Sequence, residues 1–209
     1  MALITDRDLL LMEPTLCRDA AVAATVLASG DATLSAGVLS IDGVNPAARG
    51  VLPGHLAVVG EQVVEIVSVS ETDMTVSLIR SEAAGPLLTP ASAPLTTARV
   101  LSFDHHTAMA HRLILSQLGI DGLDPADLLH ESNITSTQNL RLVEVCTALE
   151  FIWCTVAGAA GQGSAAAERS AFYSRRVERL APVAVAEYVT GESTIRVRLS
   201  TGARQLVRG

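Results

Sequence analysis

Lysine is missing from this chain: all 15 of its basic residues are arginine, against 22 acidic residues and a net charge of −7. An acidic chain lacks the basic surface on which phosphate-backbone binding rests, which excludes a tight grip on nucleic acid. It remains compatible with a passage through which DNA slides, since like charges do not stick. Aromatic residues are also scarce, at 3%, and the apolar 49% is dominated by Ala, Val and Leu. Such side chains suit close helix packing and short strands; a large ligand pocket usually wants aromatic walls. The three cysteines, Cys17, Cys146 and Cys154, form no C-x-x-C pair, and an odd number is a poor disulfide framework. No uncharged apolar stretch approaches 18 residues, and charges occur by position 8, so neither a transmembrane span nor a signal peptide is expected. No P-loop, G-x-G-x-x-G or G-x-S-x-G occurs.

What is present alternates between two periodicities. Thr5 followed by Asp6 and Asp8 predicts a capped helix, broken at Glu13-Pro14 and resumed from Pro14 to about Gly30. Residues 31–103 are rich in β-branched residues and turn signals. Strands are expected near Ala32–Ile41, His55–Val59, Gln62–Ser70, Met74–Ile79 and Thr97–Phe103, with turns at Gly60-Glu61 and Glu71–Asp73. Five short strands at this spacing suggest a small barrel or sandwich, with Ala83–Pro94 as a loop. From Asp104 the pattern turns helical: 105–118, a short helix from Asp124-Pro125 to Glu131, a long helix to about Ala160, and a last helix from Ser164 to Pro182, continuing with a kink to Tyr188. Leu142, Val145, Leu149, Ile152 and Val156 form a seam on the long helix. Cys146 and Cys154 read as small core residues there. Thr194–Leu199 alternates as a strand, Gly202 supplies a turn and Gln205–Arg208 offers a second strand.

The expected fold is thus α+β: an α-helical bundle with an inserted small β-barrel or sandwich module and an extended C-terminal strand or hairpin. Four segments follow: N-terminal helices (1–30) packing with the bundle, the β module (31–103), the bundle (104–190) and a C-terminal docking tail (191–209).

Asp104, His105, His106 and His111 are the one cluster that suggests metal or catalysis. On a helix His105 and His106 point about 100° apart, and His111 lies five residues past His106, so the i, i+4 pairing that puts two imidazoles on one ion is absent. The cluster is read as an N-cap Asp followed by partly exposed histidines. His55, in L-P-G-H-L, reads as structural. Arg169, Arg175, Arg176 and Arg179, interleaved with Glu168 and Glu178, read as a solvated helix face, the sharper alternative being an interface to an acidic partner. No catalytic residue, cofactor or metal is expected.

Two segments resemble the head–tail connector (adaptor) proteins of tailed bacteriophages. One is the opening Thr5-Asp6-Arg7-Asp8-Leu9-Leu10 through Glu13-Pro14 to Arg18-Asp19. The other covers about 138–180: a long helix with Leu140, Leu142 and Leu149, a small-residue turn, then Glu168-Arg169 and Ala171-Phe172-Tyr173-Ser174-Arg175-Arg176. The resemblance covers about a third of the chain. It implies a non-enzymatic subunit of a homo-oligomeric ring, usually of twelve, beneath the portal protein. Such a ring extends the DNA channel, lets genomic DNA pass without sequence-specific binding, and presents a platform for the next neck or tail protein. It implies location in the virion neck after synthesis in the host cytoplasm, with no membrane. The alternatives are another neck or tail-completion protein, or a metal enzyme using His105, His106 and His111. The C-terminal strand follows a complete bundle and so lacks a partner in its own domain. Ile195, Arg196, Val197, Arg198, Leu199, Arg204 and Arg208 are therefore the candidate docking residues, by strand addition to another chain.

Overall fold

The computed structural model describes residues 3–120, 131–135, 137–161, 163–190 and 193–199. The chain divides into two compact units, Thr5–Asp104 and Met1–Ile4 with His105–Gly209.

The first unit opens with α1 (Asp6–Met12) and α2 (Leu16–Asp19). The Asp8 carboxylate reaches back to accept from the Thr5 N–H at 2.9 Å, closing the first turn as a capping box does. Six strands follow: β1 (Thr25–Ser35), β2 (Val38–Ile41), β3 (Leu56–Val59), β4 (Gln62–Val69), β5 (Asp73–Leu78) and β6 (Ala93–Ser102). They pair antiparallel in the order β1-β2-β5-β4-β3-β6, and β6 returns to β1 to close a barrel. Register shifts at Val26/Ala28 and Ala32/Leu34 in β1, and at Ile66/Ser68 in β4, supply the local bends that closing a short sheet requires. The interior is filled by Leu34, Leu39, Ile41, Val64, Ile66, Met74, Val76, Val100 and smaller neighbours. A six-strand barrel is narrow, so small aliphatic side chains fill it and aromatics are not needed.

The second unit contains α3, which starts at the junction (Asp104–Gln117), α4 (Gln138–Ala160), α5 (Ala165–Leu180) and a hairpin of β7 (Val185–Thr190) and β8 (Ser193–Arg198). Ser164 caps α5, its side chain accepting from the Ala167 N–H at 3.3 Å. The packed pair is α4 with α5, where Leu140, Val143, Leu149, Ile152 and Trp153 of α4 are buried with Tyr173 and Val177 of α5. The Arg169 guanidinium lies 4.5 Å over the Trp153 ring, a cation–π contact. α4 is long and apolar enough to cross a membrane by length and composition alone, and half of its most apolar stretch is buried within the protein.

Several expectations are overturned. The core of the fold is a closed six-stranded barrel, and not a helical bundle into which a β module is inserted. The β-branched run closes on itself and buries its own core, while of the later helices only α4 is apolar through most of its length. The helix expected from Pro14 to Gly30 stops at Asp19, followed by a 3-10 turn at Ala21–Ala23, and β1 begins at Thr25. Ala32–Ile41 is two strands, not one, turning at Ala36 (φ 49°) and Gly37 (φ 79°). Val185–Thr190 is a strand and not a helical extension. Cys146 is buried but Cys154 is exposed, since eight residues at 100° each leave the two about 80° apart. The short helix expected at 124–131 and the strand at 205–208 fall largely or wholly outside the described residues.

Candidate functional site

The chemistry-bearing side chains gather in three places. In the barrel unit Asp6, His55 and Asp104 place one ligand-type atom each within 4.8 Å of the others. The local sequence sets this up. Pro53-Gly54 forms the centre of a turn closed by the His55 N–H on the Leu52 carbonyl at 3.2 Å. Gly54 sits at φ 95°, and a Cβ there would meet the Thr5 side chain at 3.1 Å, so only glycine fits comfortably. The same turn aims the Leu52 N–H at His55 Nδ1, 3.1 Å away. With Nδ1 accepting, the ring proton belongs on Nε2, which donates to Asp104 Oδ2 at 2.8 Å. Asp6, in the first turn of α1, is fully buried. Both its oxygens lie 3.1 Å from the Phe103 N–H at the end of β6. Burial pushes the Asp6 carboxyl up to about 7, against the backbone donor that favours its charge. Asp104 is held below the usual carboxylate range, first by the His55 hydrogen bond.

This trio is the metal candidate among the described residues. A neutral imidazole binding a metal through Nε2 must carry its proton on Nδ1. Here Nδ1 faces a backbone donor, so the donor set does not fit an ion. Nor does it activate a nucleophile: the nearby Cys17 thiol is buried and pushed up to about 12, by burial first and by Asp6 second. Two separate bonds hold the region: Asp6 on the Phe103 N–H ties α1 to the end of β6, and His55 on Asp104 ties the turn before β3 to the start of α3.

A second buried group lies beside α1. Glu65 of β4 receives a hydrogen bond from Arg80 Nε, and Arg7 Nε stands 4.0 Å from its other oxygen. Arg80 also donates to the Gly85 carbonyl at 2.8 Å.

In the helical unit, of the three histidines expected to be partly exposed, His106 and His111 are buried, and the three take separate neighbours. His106 Nε2 lies 3.3 Å from the Thr155 hydroxyl, and burial, with His105 beside it, lowers its pKa. His105 is exposed, edge-on to His106. His111 is buried between two carboxylates, with Nδ1 3.2 Å from Glu144 and Nε2 3.2 Å from Glu131. Burial opposes its charge, but the two carboxylates outweigh it and raise its pKa. Glu144, fully buried, also accepts from the Leu3 N–H at 3.0 Å. Sequence reasoning missed Asp6 beside His55, because Asp6 was read only as a first-turn acid; the Pro-Gly-His turn was the available signal.

The C-terminal docking strand has a partner in its own unit. Residues 193–198 pair in antiparallel register with β7, Ala186 opposite Val197 and Glu187 opposite Arg196. This overturns the expectation of an unpaired strand; β7 supplies what was read as helix. The pairing places Ile195 opposite Tyr188. Arg196 is exposed and bonded to Glu187 at 2.8 Å, Arg198 is exposed, and Val197 is half-buried. Leu199 is buried, its N–H on the Ala184 carbonyl at 3.3 Å. Arg204 and Arg208 lie outside the described residues. On α5, Tyr173 and Ser174 turn inward while Phe172, Arg175 and Arg179 are exposed.

Comparison with protein-family models, with curated proteins and with solved structures finds no match. The fold and its sites define a class only: an α+β protein with a closed six-stranded barrel and a helical hairpin.

Proposed function

We propose that this chain is a structural head–tail connector subunit of a tailed phage, part of a homo-oligomeric ring beneath the portal protein that extends the DNA channel toward the next neck or tail protein. It acts without a catalytic residue or cofactor. The observation that carries the reading is the α4–α5 hairpin. The stretch Phe172-Tyr173-Ser174-Arg175-Arg176, on which the resemblance rests, divides there between packing and display: Tyr173 and Ser174 secure the hairpin, while Phe172 and Arg175 face outward. A display face on a rigid helical pair suits an assembly subunit. The bonds of Asp6 to the Phe103 N–H and of His55 to Asp104, and the placing of His111 between Glu131 and Glu144, support a structural role for those groups. Removing the chain from the producing particle should leave DNA-filled heads and free tails unjoined. Joined, infectious particles at normal yield without it would contradict the reading.

A further inference from the structure

We propose that the exposed face of α5 docks onto the barrel unit of a second copy of this chain, a contact that rests on the ring-subunit reading and names its surfaces. The first observation is how charge divides. Residues 5–104 hold twelve acidic residues and five arginines, whereas the rest of the chain holds ten of each. The barrel unit therefore carries the whole net charge of −7, and the helical unit is neutral with arginines standing out on α5.

The second observation is the α5 face itself. Phe172, Arg175 and Arg179 are spaced by three and four residues, so they line one stripe, and all three are exposed, Phe172 by 48%. Glu168 begins the stripe and Glu178 flanks it, both also exposed. An outward aromatic followed along the stripe by two guanidinium groups is the composition of an interface anchor.

The third is the segment between β5 and β6. Leu87 and Leu88 stand half-exposed there, at 51% and 46%, with Glu82 exposed a turn away. These leucines are not on a loose loop. The Leu88 N–H donates to the Ser77 hydroxyl at 2.8 Å, the Ala91 N–H to the Gln62 side chain at 3.0 Å, and Arg80 ties Gly85 to Glu65. An apolar patch held rigid in solvent, beside a carboxylate on an acidic unit, is already ordered for binding. It complements an aromatic with two arginines beside it in both apolar and charge character. Because the helix face and the loop are different surfaces of one chain, the contact is heterologous, passing from copy to copy, the geometry from which rings close.

Sedimentation of the purified full chain across concentration and salt tests this. The wild type should self-associate, at least ten-fold more weakly as salt is raised to screen the charges. Arg175→Glu with Arg179→Glu should remain monomeric where the wild type associates, with an unchanged circular dichroism melt. Adding Glu82→Arg to that variant should restore association. If the charge reversal costs the fold, Phe172→Ala reads the same surface. A wild type monomeric at every concentration, or a folded reversed variant or Phe172→Ala variant that associates as the wild type does, overturns the contact. Either result leaves the connector reading to stand or fall on particle assembly.

Discussion

Asp6 shows how a single buried carboxyl can tie α1 to the end of β6 and still make stability depend on pH. Its carboxyl titrates near 3.8 when unfolded and is pushed up to about 7 by burial in the fold. Between those values the folded state holds a proton that the unfolded chain has released. Rising pH therefore costs stability, by about 1.4 kcal/mol per unit at most. The contribution is full below the unfolded value and lost as pH rises through the folded one. Asp6→Asn keeps an acceptor for the Phe103 N–H and removes the titration. Denaturant melts across this range should show the wild type losing stability relative to Asp6→Asn as pH rises, and the variant the more stable of the two above pH 7. Parallel profiles would mean that Asp6 is not the buried acid described. His111 adds a slope of the same sign, since its raised pKa gives stability present below its unfolded value and lost as pH rises through the folded one. Comparison of wild type and variant isolates Asp6 from it.

At the scale of elements, α4 is where the sequence and the structure agree most closely. The seam residues Val145, Leu149 and Ile152 are buried, as is Trp153; Leu142 and Val156 are half-buried, and from Val143 to Leu149 the helix is buried all round. Leu149 is fully buried in this unit, and Leu149→Ala should cost about 2–5 kcal/mol through lost burial and the cavity left behind. An unchanged thermal midpoint would show that α4 packs differently. The turns at Gly60 and at Glu71–Asp73 were legible from their residue types. Three other features were not. Ala36 adopts a left-handed conformation that alanine seldom takes, so the β1–β2 turn carried only half its usual signature. The Ala-rich run 20–24 has helix-forming composition, yet Thr25-Val26 must enter the barrel, and strand pairing to β6 overrides local propensity. Val185–Thr190 follows a stop signal at Pro182 that was read as a kink, and becomes a strand through pairing with β8. As for the sites, the histidines that stand close in sequence share no common partner. The groups that meet are distant along the chain, His55 with Asp104 and His111 with Glu144, and only barrel closure and helix packing bring them together.

For the molecule as a whole, the acidic barrel and the neutral helical unit bear on what the protein can touch. A net charge of −7, concentrated in residues 5–104, should prevent tight binding to duplex DNA at physiological salt. Fluorescence anisotropy with a labelled duplex should give no saturation in the micromolar range; micromolar or better affinity would contradict a passive channel. The central claim is that the chain is a ring-forming connector in a particle neck. Electron-microscopic reconstruction of the assembled particle, carried to a resolution at which the six-stranded barrel and the α4–α5 hairpin can be fitted, tests it most directly. The account predicts a ring of copies of this chain between the portal and the tail, surrounding the DNA path. Finding the chain elsewhere in the particle, or absent from it, would contradict the account.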